Sequence, residues 1–165
     1  MKQKIDVYLF LLVFNISKLY AQLNTQLCKV NEVIVFAFQL KNKKWVSICK
    51  EKNEKYIVYR SGTAVKIDLQ FPSVLDTTSW DKFSFKGYNR GGGKQNDAMN
   101  FAYLNFTNNT ILYEVYESWS SYDDKADCGL SVVVAGKIIN SSGILKTRKG
   151  YLLELCTNDK MAQQE

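Results

Sequence analysis

The chain has 165 residues, with 22 Lys and Arg against 16 Asp and Glu, a net charge of +6 and no histidine. Hydrophobic residues make up 46%, charged residues 23% and aromatic residues 13%. This balance excludes a disordered polar tail, a collagen-like repeat and a multi-span membrane protein. Without histidine, the commonest general base and the commonest metal ligand are both missing. No catalytic residue, cofactor or metal is assigned on these grounds.

The N-terminus places Lys2 and Lys4 ahead of an apolar run from Val7 to Ile16, followed by Ser17-Lys18-Leu19-Tyr20-Ala21. Basic residues, a short apolar stretch and a small residue form the secretory pattern. The run is shorter than the ~20 residues that span a bilayer, which argues against an uncleaved anchor. Residues 1–21 are therefore expected to be a signal peptide cut after Ala21. Residues 22–165 form one exported β domain with no integral membrane span. Losing Lys2, Lys4, Lys18 and Asp6 takes two charges off the net. The remaining lysines are dispersed rather than gathered on one face, so nucleic acid is not an expected partner. Small clusters at Lys41, Lys43 and Lys44 and at Lys146, Arg148 and Lys149 read as hairpin tips.

All four cysteines, Cys28, Cys49, Cys128 and Cys156, follow the signal. An even count in an exported chain points to disulfides, and four cysteines allow three connectivities. Local spacing favours Cys28–Cys49 with Cys128–Cys156. Zinc is the rival reading, but the spacings are long and no histidine completes a set.

Strand patterns dominate the rest. Val33–Phe38 is an apolar run, and Leu40-Lys41-Asn42-Lys43 turns it into Lys44–Cys49. Tyr56–Arg60 follows. Val65, Ile67, Leu69 and Phe71 then alternate with Lys66, Asp68 and Gln70 until Pro72, the only proline. Further strands are expected over Trp80–Gly87, Met99–Phe106, Ile111–Tyr116, Leu130–Ala135, Ile138-Ile139 and Tyr151–Cys156. A short helical turn has room at Val74–Ser79 or near the C-terminus. The sum is an all-β fold, an antiparallel sandwich or barrel of about nine or ten strands.

Arg90-Gly91-Gly92-Gly93-Lys94 is the most unusual stretch. Its glycines free backbone N–H groups and its ends are cationic, a composition suited to an anion or a sugar. A mobile loop, or a bulge needing positive φ, is the plainer account. It is no nucleotide P-loop, because Tyr88 stands where a glycine is required and Gln95 where a hydroxyl is. Ser79-Trp80-Asp81-Lys82 matches Ser-x-x-Lys by coincidence, since a strand points those two side chains apart. Glu114, Glu117 and Asp123 offer carboxylates for a hydrolase, and Asp123, Asp124 and Asp127 form an acidic loop without calcium-loop spacing. Aromatic residues such as Trp45, Tyr103, Tyr113 and Tyr116 exceed what a core must hold. Cross-strand pairing accounts for some of them. Tyr88, Trp119 and Tyr122 flank polar loops and are expected to be exposed for contact with a partner.

The stretches Trp45-Val46-Ser47-Ile48-Cys49, Lys55-Tyr56-Ile57-Val58-Tyr59-Arg60-Ser61-Gly62, Lys66-Ile67-Asp68-Leu69 and Gly87-Tyr88-Asn89-Arg90-Gly91-Gly92 resemble a family of small exported bacterial β-proteins of unassigned function. The resemblance implies export and an all-β fold, and it carries no activity. The leading expectation is a non-catalytic periplasmic or secreted binding module. Its partner would be a glycan or protein of the cell envelope, such as a hydrolase or toxin that it inhibits. The alternatives are a carbohydrate-active hydrolase using paired carboxylates and a purely structural envelope protein. The binding residues would be Tyr88, Arg90, Gly91, Gly92, Gly93, Lys94, Trp119 and Tyr122.

Overall fold

Alternating apolar and polar side chains produce nine antiparallel strands: β1 (Glu32–Leu40), β2 (Trp45–Glu51), β3 (Ile57–Thr63), β4 (Lys66–Phe71), β5 (Ser84–Arg90), β6 (Met99–Asn108), β7 (Ile111–Ser120), β8 (Lys125–Val134) and β9 (Lys137–Gly150). The computed structural model describes residues 27–163; the expected signal peptide and its cleavage point lie outside them. Two short 3-10 helices, η1 (Thr77–Lys82) and η2 (Leu152–Thr157), complete the set. No helix among the described residues is long and apolar enough to cross a membrane.

The strands form one sheet in the order β4-β3-β2-β1-β9-β8-β7-β6-β5. Two meanders, β1–β4 and β5–β9, pair their strands only where β1 meets β9. The sheet curls into a half-barrel, which bears out the expected all-β antiparallel fold of about nine or ten strands. The curl is visible in the core. Phe71 on β4 stacks on Phe106 of β6 at 4.5 Å, although their strands lie near opposite ends of the sheet. Tyr59, Phe83 and Tyr113 pack around the same ring.

Two segments expected to be extended are 3-10 turns instead. In Tyr151–Cys156, Leu152 and Leu155 are the buried pair. Their i, i+3 spacing fits the three residues per turn of a 3-10 helix. The start of Trp80–Gly87 belongs to η1, whose first turn is capped by the Asp76 side chain accepting from the Thr78 N–H. Lys146, Arg148 and Lys149 lie within the long β9 rather than at a hairpin tip.

The concave face holds the main core, including Phe36, Phe38, Ile48, Phe85 and Leu104. The convex face differs between the two halves. Over β1–β3 it is covered by the entering chain at Leu27 and Cys28. A Cys28–Cys49 disulfide fixes that cover, a bond that fits an oxidising compartment. Beneath it, Arg60 is fully buried and donates to both carboxylate oxygens of Glu32 at 2.6 and 2.8 Å and to the Leu27 carbonyl. Tyr56 adds a hydroxyl to Glu32 at 2.9 Å.

The second expected disulfide is not formed. Cys128 is a buried thiol on β8 facing Phe38 and Gly143, and Cys156 is an exposed thiol on η2 beside Gly87. The 3-10 turn of residues 152–157 takes Cys156 away from a strand position beside β8. Burial pushes the Cys128 thiol up to about 11.

Candidate functional site

Outward-facing residues of β5–β8 follow from the register. Phe85, Ala102, Val115 and Cys128 point into the core, so the intervening side chains face out. Tyr88 pairs with Phe101, and Lys86 with Tyr103. Tyr103 pairs with Tyr116, and Tyr116 with Gly129. The Tyr88 ring stacks on Phe101 at 5.3 Å, and Phe101 meets Tyr103 at 5.5 Å. Nothing in the described chain crosses this aromatic row as Leu27 and Cys28 cross the other half.

At one end of the row, the β5–β6 loop and the β7–β8 turn are fastened together. The Ala98 N–H donates to Ser121 Oγ and the Ser121 N–H to the Ala98 carbonyl, both at 2.9 Å. The Gly93 N–H closes a turn on the Asn96 carbonyl, and Arg90 Nε donates to the Asp97 carbonyl at 3.1 Å. Gly91, Gly92, Gly93 and Lys94 are exposed. None of the three glycines holds a positive φ, and a side chain at Gly91 or Gly93 would meet open space. Backbone geometry therefore does not demand glycine at those two positions.

The structure brings Arg90, the glycine loop and Tyr122 to this one end, with Tyr88 close by. Tyr88 is 41% and Tyr122 82% exposed. Trp119 is the exception. It pairs with Asn100 and Ala126, a register that turns it to the concave side. There it is half-buried, with its indole N–H directed at Asp124 Oδ1, 3.4 Å away. The expectation of an exposed Trp119 beside Tyr88 is corrected on that parity. Phe101 was not singled out by the sequence, because Phe101-Ala102-Tyr103-Leu104 is apolar on both faces and gives no parity signal.

The carboxylates proposed for hydrolysis do not converge. Glu114 and Glu117 are three residues apart on one strand and face opposite sides of the sheet, and Asp123 sits in the β7–β8 turn. Glu117 is buried, accepts the Leu153 N–H at 2.9 Å and lies 3.8 Å from Arg148 Nη1. It thereby satisfies the start of η2, whose own N-cap residue Tyr151 supplies no side-chain bond. Burial raises the Glu117 pKa, against the Leu153 amide and Arg148, which lower it. Asp123 is held low by Lys125 in a solvated turn.

One grouping of metal-type donors occurs among the described residues: Cys28, Glu32 and Cys49. The two sulfurs are bonded to each other and Glu32 is engaged by Arg60, so the set has no free thiolate to offer. No protein-family model matches the chain, and neither a curated protein nor a solved structure does.

Proposed function

We propose that this protein is an exported, non-catalytic binding module that holds a glycan of the cell envelope against the convex face of β5–β8. One observation carries the reading. The ladder Tyr88–Phe101–Tyr103 runs across that face with Tyr88 exposed and Phe101 and Tyr103 half-buried, whereas the convex face of β1–β3 is sealed by its own chain. Aromatic rings offer apolar area to the C–H face of a sugar ring, and tyrosine adds a polar rim. A grid of paired strands holds such rings with little entropy left to lose on binding.

The test is co-sedimentation of the mature chain with purified envelope glycan, beside Tyr88→Ala, Phe101→Ala and Trp119→Ala. Retention should fall for the first two and persist for the third, whose side chain lies on the concave side. Equal retention by all four proteins would remove the face from consideration. Loss only on changing Arg90, Lys94 or Tyr122 would instead mark the fastened loops, and a protein partner such as a hydrolase or toxin.

A further inference from the structure

The row next to the aromatic ladder contains a carboxylate without a counterpart. Glu114 is half-buried on the convex face of β7. Its register partners are Asn105 on β6 and Ser131 on β8. Ser131 Oγ is directed to Asn140 Oδ1 on β9 at 2.7 Å rather than to Glu114. Among the described residues, no hydrogen-bond donor or cation engages the Glu114 carboxylate. Most carboxylates that carry part of the fold are engaged: Glu32 by Arg60, Glu54 by Lys50 and Lys160, Asp68 by Lys44, Glu117 by the Leu153 amide.

Two residues along the strand, Tyr116 stands beside it. A side chain at Gly129 would collide with the Tyr116 ring and its oxygen. The ring therefore lies over the bare backbone of Gly129. Tyr103 lies directly across on β6, about 5 Å away at the backbone. The aromatic row and the polar row are about 7 Å apart along the strands, which is the scale of one sugar residue.

We propose that Glu114 is the hydrogen-bond anchor of a sugar subsite on this face, accepting hydroxyl or amide protons from an uncharged glycan whose ring stacks on Tyr116. This rests on the glycan-binding reading above and names its ligand class. A carboxylate is acceptor-only, so the complement it lacks is a donor. Asn105 supplies amide groups at the rim, able to donate and to accept. A cationic ligand suits the face less well, because Arg90 lies on the same side of the sheet. An acidic sugar would meet Glu114 as a like charge. Burial raises the Glu114 pKa, the mark of a carboxylate short of solvation, and such a group gains most from a new donor.

The experiment is titration calorimetry of the mature chain with three soluble probes: an N-acetylglucosamine hexamer, a glucose hexamer and a galacturonate hexamer. Wild type should bind at least one neutral hexamer and reject the acidic one. Glu114→Gln should weaken neutral binding about tenfold, and Glu114→Ala at least as much, the scale of a hydrogen bond to a charged group. Unchanged melting temperatures would show that both variants fold. If both variants bind like wild type while Phe101→Ala weakens binding, the glycan reading stands and the role of Glu114 falls. Binding of the acidic hexamer as tightly as a neutral one would also overturn the inference. If wild type binds none of the three, both proposals fall together.

Discussion

Arg60 and Glu32 form a two-pronged ion pair, Nη1 to Oε2 at 2.6 Å and Nη2 to Oε1 at 2.8 Å, with both side chains fully out of solvent. The pair ties β3 to the start of β1, and Arg60 also grips the Leu27 carbonyl. Arg60→Met should therefore destabilise the fold by about 3–5 kcal/mol, because it strands a buried carboxylate. Chemical denaturation measures this. Arg60→Met with Glu32→Met should cost less than the single change, since no unpaired charge remains.

The same pair sets an acid limit. Burial pushes the Glu32 pKa up, but the Arg60 guanidinium, the Lys29 amide and the Tyr56 hydroxyl together hold it below the ordinary value. The unfolded chain thus takes up the proton first as pH falls. The stabilisation is complete above the ordinary carboxylate range and disappears as pH drops through the lowered folded-state value. Denaturation midpoints for wild type should decline through this acid window, and those of the double-methionine variant should decline less.

Glu117 behaves with the opposite sign. Its folded-state pKa is raised, chiefly by burial, so the folded state holds the proton more tightly than the unfolded one. Its contribution to stability is largest at low pH and shrinks as pH rises through the raised value. Glu117→Gln removes that charge and the contact with Arg148. Relative to wild type, it should therefore look worst near pH 4 and improve by pH 7. Paired urea titrations at the two values check the trend. Glu117→Ala should cost about 1–3 kcal/mol at either pH by leaving the Leu153 amide unsatisfied.

The cysteines give a chemical signature. One disulfide, Cys28–Cys49, and two thiols are present. In the folded protein, iodoacetamide should label Cys156 well ahead of Cys128, which is buried and has its pKa pushed up to about 11. Peptide mapping reads the order. Reducing the bridge, which closes a 21-residue separation, should cost about 3 kcal/mol in the chain-entropy account.

Gly150 is where backbone geometry leaves no choice. Its φ is +69°, and a Cβ there would collide with the Val35 carbonyl. Gly150→Ala should destabilise by roughly 2–3 kcal/mol or more. Gly91→Ala, with open space around it, should leave the melting temperature unchanged.

Much of the strand pattern was legible because one wet face imposes period two. Ile67, Leu69 and Phe71 marked β4, and the polar turn at Lys41–Lys43 marked the β1–β2 hairpin. Local spacing likewise favoured the Cys28–Cys49 bridge. What escaped depended on distant partners. Glu117 looked like a catalytic candidate until η2, 36 residues on, presented its Leu153 amide. Tyr88 and Trp119 both flank polar loops, and only the β5–β6–β7 register shows that they face opposite sides. Leu152 and Leu155 carry an i, i+3 signal too short to tell from a buried strand.

The seam between β1 and β9 sets the order in which the molecule can assemble. Its hydrogen bond from the Gln39 N–H to Thr147 Oγ joins residues 108 apart, whereas every other strand pair joins neighbours in sequence. Each meander can zip from its own hairpins, but β1 keeps one bare edge until residues 143–150 arrive. A nascent or truncated chain ending before β9 would expose that edge, Phe36 and Phe38 included, to other copies of itself. The last strand thus acts as the safeguard against self-association for the first strand.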